Sequence, residues 1–466
     1  MTALTTPGIA ARPRLGLTLA LLAFAQLIIS IDYNIVYVAL PEIGSGLGFS
    51  AQSLQWVISA YAVAFGGFLL LGGRASDLFG PRRMFASGLW LYAVASLLGG
   101  LATGPGLLIT ARAVQGVGGA LLFPATLTLV STCFPEGPER NRAFAVWGTA
   151  GGSGMILGSL LGGMLTQAFG WASVFFVNVP LAVIAAVLAL PLIAPDATRM
   201  TGRSFDLAGA LTSTAGITAI VFALVQGPES GWTSRDVLGA AFIGALLLTA
   251  FTVVERRSAD PLLPHRLLRD RDLTTGTMIT FLYMGTFGTL LYFLTVYFQS
   301  VHGYGAMRTG LAFLIPMLAI AAGSQTAGRL ATRHGLRLVL LGSLTVGGAG
   351  AAIVAVALSP AASYPALVPG LVLLGLGQGA GYTLMFGAAT RSVAPTDQGI
   401  ASGVASTAQQ VGGAMGLALL VAVANSGLPA APSPGAITDG LQAAIAIAVA
   451  GIALTALVAL RLRRPR

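Results

Sequence analysis

This sequence has no lysine, one cysteine, three histidines and only fifteen acidic residues, and each shortage closes off a class of protein. A lone Cys133 cannot build a disulfide framework within the chain or a cysteine-based metal site. His265, His302 and His334 fall in different predicted loops, two on one side of the apolar spans and one on the other, so no metal is expected. No phosphate-cradling loop motif occurs, which argues against ATP hydrolysis and leaves no cofactor to expect. An enzyme embedded in a membrane would gather acids or histidines at one face, and no such cluster is present. Charged residues make up 9% of the chain where a soluble domain carries roughly 25%, while 55% of residues are hydrophobic and mean hydropathy is +0.84. The chain is expected to be an all-α integral membrane protein with the lipid bilayer as its main partner. Its net charge of +10 comes from arginines scattered between apolar stretches, which does not fit a nucleic-acid surface.

Stretches of about 20 mostly apolar residues predict fourteen spans, near 15–41, 53–72, 84–104, 107–131, 144–167, 173–194, 207–226, 237–254, 273–299, 309–327, 338–358, 365–389, 399–424 and 440–460. They are continuous runs rather than short alternating segments, which favours helices over a closed barrel. Arg12 and Arg14 resemble the start of a signal peptide, but the stretch after them is too long and lacks a small-residue cleavage site, so it is read as an uncleaved first span. With the N-terminus cytoplasmic, 22 arginines fall in inner loops and tails, only Arg235 and Arg308 fall outside, and Arg112 lies within a span. This partition follows the positive-inside rule and places both termini in the cytoplasm.

Asp32 lies deep in the first span, where a carboxylate costs at least ~3 kcal/mol on insertion scales. A proton or cation site is the leading reading, and a helix-packing hydrogen bond the plainer one. At about 1.5 Å per residue, Asp32 is ~14 Å and Arg112 ~8 Å below the outer ends of their spans, a gap that a guanidinium can cover directly or through water. The plainer alternative for Arg112 is snorkelling to the outer interface.

An internal repeat organises the chain. Gly73, Arg74, Gly80 and Arg82 after the second span recur as Gly328, Arg329, Gly335 and Arg337 after the tenth, a constant offset of 255. Two related six-helix bundles follow, residues 1–194 and 273–466, separated by a linker of residues 195–272 that carries two extra central helices. Such duplicated plans belong to secondary transporters with a site between the halves.

The segment Gly73–Arg83 resembles the signature loop of the major facilitator superfamily, and the fourteen spans resemble its drug:proton antiporter branch. In that family the loop acts as a conformational latch, here Gly73, Asp77, Gly80, Arg82 and Arg83, with Asp77 expected to pair with arginines or a helix N-terminus. Pro81 stands where the family has a basic residue. Thr332 replaces the acid in the second copy, so the latch is expected to rest on the first copy. Arg112-Ala113-Val114-Gln115-Gly116-Val117-Gly118 is similar to the helix-four motif linked to proton transfer. The run Ile31–Pro41 resembles the branch's helix-one motif, with Asn34 and Tyr37 departing from it. Trp56 and Tyr61 match the branch as well, although a membrane-interface role is common for Trp near a span end. Asn178-Val179-Pro180 matches the start of helix six, with Ala172 and Ser173 in place of the usual Arg-Trp pair. Gly154, Gly158 and Gly162, four residues apart, form a ridge for close helix packing. They lie in a segment that resembles the antiporter motif, with Ser159 in place of its proline.

The resemblance implies proton coupling through Asp32 and Arg112. The expected substrate cavity takes in Asn34, Trp56, Tyr61, Gln115, Tyr292, Gln299, Tyr382 and Gln409. The function expected is proton-coupled multidrug or small-molecule efflux, conferring antibiotic resistance, by a monomer in a bacterial cytoplasmic membrane. The alternative is a proton symporter importing a small metabolite.

Overall fold

The computed structural model describes residues 12–49, 54, 56–196, 207–258, 265–304, 306–394, 397–426 and 433–463. Among these residues there are seventeen α-helices, one π-helical turn and no strand. The first bundle comprises α1 (Arg12–Leu47), α2 (Trp56–Phe79), α3 (Pro81–Gly100), α4 (Pro105–Cys133), α5 (Pro138–Phe169), the short α6 (Ser173–Phe176) and α7 (Asn178–Leu192). Next come α8 (Leu207–Ser230), α9 (Arg235–Arg257) and the short α10 (His265–Leu268). The second bundle comprises α11 (Arg271–Val296) with its π turn Tyr297–Val301, the short α12 (Ala306–Ala312), α13 (Leu314–His334), α14 (Leu336–Ala357), α15 (Tyr364–Thr390), α16 (Gln398–Ala424) and α17 (Pro434–Ala459).

Local sequence explains where these helices start and turn. Pro81, Pro105, Pro138 and Pro434 open α3, α4, α5 and α17, where a missing N–H is harmless and φ is already helical. A single residue, Gly80, separates α2 from α3 at φ 97°, and Gly335 separates α13 from α14 at φ 83°. Gly48 and Gly303, also left-handed, follow α1 and the π turn. Both pairs stand 255 positions apart, so the register of the repeat reappears in backbone conformation as well as in the loop motif.

Lipid offers no hydrophobic drive between helices, so they associate by close packing of small residues. Gly116 of α4 meets the Tyr61 carbonyl, where an added Cβ would lie 2.5 Å away, and Gly375 of α15 meets the Pro316 carbonyl at the same distance. Ten helical segments are long and apolar enough to cross a membrane. The other long helices α3, α5, α8 and α13 coincide with expected spans 84–104, 144–167, 207–226 and 309–327.

The two extra helices are central in sequence only. In space α8 packs on α2 and α16 around Leu70, Ile217 and Val221, and α9 packs on the outside of α8. Leu238, Phe242 and Leu246 of α9 point away from the protein, as suits a lipid-facing helix. Sequence order alone carries no information about this peripheral position.

Candidate functional site

Five helices of the first bundle converge on Asp32, which is 0% exposed in α1. Arg112 and Gln115 lie three residues apart and so share one face of α4. Arg112 is 1% exposed, and its Nη1 donates to Asp32 Oδ2 at 2.7 Å. The same nitrogen donates to Gln115 Oε1 at 2.6 Å, while Nε donates to the Val57 carbonyl of α2 at 2.9 Å. Gln115 Nε2 donates to Asp32 Oδ1 at 2.9 Å and to Ser96 Oγ of α3 at 2.9 Å. Asn178 Nδ2, at the start of α7, donates to Asp32 Oδ1 at 2.7 Å. The Tyr61 ring lies under the guanidinium, 4.4 Å from Cζ, and adds cation–π attraction.

Three donors therefore converge on two carboxylate oxygens, an arrangement that suits the ionised, acceptor-only form of aspartate. Breaking such a buried pair leaves a charge uncompensated, which costs roughly 3–5 kcal/mol. Arg112 is held inside the bundle and does not snorkel to the interface.

Part of the expected cavity is rearranged. Gln115 and Tyr61 are buried within the Asp32 network and do not line an open cavity. Trp56 stacks on Phe222 of α8 with ring centroids 5.4 Å apart, which places it against the insert. Asn34 donates to its own helix, to the Ser30 carbonyl at 3.3 Å. Tyr382 stacks at 6.1 Å on the fully buried Trp147 of the opposite bundle, with Gln409 beside its hydroxyl. Phe123 and Phe386 extend this aromatic seam across the bundles. Tyr292 and Gln299 are exposed on α11 and its π turn.

The glycine ridge of α5 packs on α1 beside Asp32. An added Cβ on Gly154 would lie 2.5 Å from Ser30 Cβ, and one on Gly158 would lie 2.5 Å from the Ile31 carbonyl. Gly162 continues the spacing one turn on, and the helix runs through Ser159 without interruption.

The five expected latch residues divide into two groups. Asp77, near the end of α2, reaches the other bundle and accepts from the backbone N–H groups of Gly399 (2.8 Å) and Ile400 (2.9 Å) at the N-terminus of α16. That is a favourable place for a carboxylate, because unpaired N–H groups and the helix dipole converge there. Gly73 meets Gly399 and Gly403 so closely that no side chain fits. Gly80, Arg82 and Arg83 instead serve their own bundle. The Asp196 carboxylate caps α3 by accepting from the N–H groups of Arg82 (2.9 Å) and Arg83 (3.0 Å), and Arg82 Nη2 donates to the Leu190 carbonyl at 2.5 Å.

The second copy also crosses between bundles, contrary to expectation, but through neutral groups. Asn141 Nδ2 of α5 donates to Thr332 Oγ1 at 3.1 Å, and Gly328 packs on the Asn141 carbonyl. Beside the first copy, Asp397 immediately precedes α16 and is fully buried, accepting from Arg266 of α10 at 2.8 and 3.0 Å. This hydrogen bond raises the pKa of the Arg266 guanidinium.

Sequence reasoning did not place Ser96, Asn178, Asp196 or Asp397 in these sites. Asn178 carried the one available signal, a polar residue beside Pro180 at a helix start.

A polytopic helical protein built on a duplicated plan has the architecture common among secondary transporters. The family model described as Major Facilitator Superfamily matches residues 22–417 and again 277–466, and the chain belongs to that family. It is 42% identical to the puromycin resistance protein pur8 of Streptomyces alboniger, over 96% of this chain and 91% of that protein. It is 38% identical to the cephamycin export protein CmcT of Amycolatopsis lactamdurans, over 94% and 91%. The fold matches the proton:xylose symporter XylE with a TM-score of 0.69 at 13% identity, covering 96% and 95% of the two chains.

Proposed function

We propose that the protein is a proton-coupled efflux antiporter for small organic compounds of the antibiotic type, working as a monomer in a bacterial cytoplasmic membrane. In this reading it has fourteen spans with both termini cytoplasmic, bundles 1–194 and 273–466, and the insert 195–272. The observation that carries it is the saturated carboxylate of Asp32. Protonation removes the charge that holds Arg112 and places an O–H where only donors now point. Asn178 Oδ1 is buried with no hydrogen-bond partner, so turning this amide over supplies the acceptor that a protonated Asp32 needs. Loading a proton thus releases Arg112 and loosens the contacts between α1, α2, α4 and α7.

In this reading the termini are cytoplasmic, the Asp77 and Thr332 contacts close the inner side, and protons are loaded from the outside. One proton crossing 100 mV supplies roughly 2.3 kcal/mol, to which the pH gradient adds. The export direction is supported by relatives named for puromycin resistance and cephamycin export. The test is compound accumulation in cells with and without the protein, with the proton gradient collapsed in parallel. Expression should lower accumulation, and collapse of the gradient should abolish the difference. Raised accumulation on expression would instead mark an importer.

A further inference from the structure

We infer that the buried hydroxyls of Tyr61 and Tyr92 are a second seat for Arg112, the acceptors to which its guanidinium turns when Asp32 takes up a proton. The inference rests on the proton-coupled reading of Asp32 above and adds the residues that hold Arg112 in the protonated state.

Protonation of Asp32 leaves Arg112 a buried cation without its counterion, and a charge so placed needs other acceptors inside the bundle. Its bonds to the Val57 carbonyl and to Gln115 Oε1 are already made, and guanidinium donors are left over once Asp32 is neutral. Among the described residues, the buried side-chain oxygens of the first bundle without a hydrogen-bond partner are those of Gln26, Tyr61, Tyr92, Ser131, Thr166 and Asn178. Ser131 lies about five turns from Arg112 along α4, and Thr166 about two turns beyond Gly158, which marks the level of Asp32. Gln26 faces Gly151 of α5, and Asn178 Oδ1 is the acceptor for the O–H of Asp32 itself. Tyr61 and Tyr92 remain.

Both stand beside the guanidinium. The Tyr61 ring is already beneath it, 4.4 Å from Cζ, and is stacked on Phe65 at 5.6 Å. Tyr92 is edge-on to Tyr61 with ring centroids 6.5 Å apart, lies one turn along α3 from Ser96, the acceptor of Gln115, and is within electrostatic reach of Arg112. The glycines that follow Arg112 on α4 let these rings approach. Gly116 rests on the Tyr61 carbonyl, an added Cβ on Gly118 would lie 3.0 Å from the Tyr92 nitrogen, and one on Gly119 would lie 3.1 Å from the Tyr61 hydroxyl. Tyr61 is 1% and Tyr92 0% exposed, so water does not satisfy their hydroxyls while Asp32 holds Arg112. An unpaired buried hydroxyl is costly, and a phenylalanine would fill the same space without that cost. A guanidinium turned toward them gives the hydroxyls a partner in the state in which Arg112 needs one. The charged and titratable groups facing the Asp32–Arg112 pair are thus Tyr61 of α2, Tyr92 of α3 and Tyr33 of α1, whose ring is 6.4 Å from that of Tyr61. By contrast, α5 and α7 face it with glycines and the neutral Asn178, and α6 carries no titratable group.

The test follows the carboxyl infrared band of the purified full-length chain against pH, the Asp32 signal being the part that Asp32→Asn removes. Tyr61→Phe and Tyr92→Phe keep both rings and the cation–π contact, and each deletes one acceptor. Each should lower the pH at which Asp32 is half protonated by about 1 unit, because the protonated state loses a bond to a charged donor that the ionised state does not make. The unfolding temperature above that pH should stay level or rise, since an unpaired buried hydroxyl is gone. A midpoint that rises, or that is unchanged in either variant, overturns the seat. Higher stability without a shift would mean that the hydroxyls are unpaired in both states, so the seat falls while the proton reading of Asp32 stands. A parent with no pH-dependent band that Asp32→Asn removes overturns the proton reading and this inference with it.

Discussion

Asp32 and Asp77 are both aspartates within apolar helices, yet they are held in opposite ways. Asp32 is bound by side chains of its own bundle, Arg112, Gln115 and Asn178, and every bond it makes survives if the two bundles separate. Asp77 is bound by the backbone of the other bundle, and its two bonds to α16 must break when the halves rock apart on that side. In the proposed mechanism the first site is the one that exchanges a proton and the second the one that breaks with the change of conformation. The repeat sharpens the contrast, because the second copy has lost the acid at both places: Phe287 stands at the offset from Asp32, and Thr332 at the offset from Asp77. At the two repeat-related places only the first bundle keeps an acid, while the second bundle's ion pairs, Asp272 with Arg391 and Asp397 with Arg266, lie elsewhere.

The largest expected effect comes from prising apart the wall behind Asp32. Gly158→Leu places a branched side chain against the Ile31 carbonyl and should cost roughly 1–3 kcal/mol or more, read as a lower yield of folded protein and a lower unfolding temperature. Wild-type stability would mean that α1 and α5 are not in this close contact.

Next comes the contact between bundles. Asp77→Asn removes the charge from the α16 N-terminus, a loss of about 1–2 kcal/mol, and should slow transport about 5- to 30-fold at equal expression. Normal transport would deny Asp77 any role in holding the inner side closed. Arg266→Ala, acting one step away through Asp397, should slow transport less, by about 3-fold or under, because Arg266 is largely solvent-exposed. An effect as large as that of Asp77→Asn would make the linker an equal part of the latch. Smallest of all should be the effect of reporter fusions on transport itself. Fusions after residue 230 should read periplasmic and those after residue 262 cytoplasmic, and the opposite result would remove α8 and α9 from the membrane.

The two aspartates also show what a sequence makes legible. Asp32 and Arg112 stood out because a charge in an apolar run is too costly to persist without a partner or a task, and the motif loops marked the repeat. Gln115 and Tyr61 were visible as polar groups in spans, but whether they face a cavity or an ion pair depends on helix rotation, which an apolar run does not encode. Asn178 and Ser96 are neutral, and neutral polar residues in spans commonly serve packing. Asp196 meets the start of α3, and Asp397 meets Arg266, only in the folded chain. Arg82 and Arg83 were visible in the signature loop as charges, but that their partners are Leu190 and Asp196, while Asp77 and Gly73 meet α16, depends on how the chain folds.

The central claim is that Asp32 couples the proton to transport and does not merely pack. Asp32→Asn keeps the shape and most of the hydrogen bonding but cannot titrate, and because it leaves the buried Arg112 without its counterion, transport is compared at equal amounts of folded protein. In proteoliposomes with an imposed pH gradient, the variant should lose gradient-driven accumulation of substrate while still exchanging substrate down its own gradient. Accumulation by Asp32→Asn equal to that of the parent would show that the carboxylate is structural and that coupling lies elsewhere.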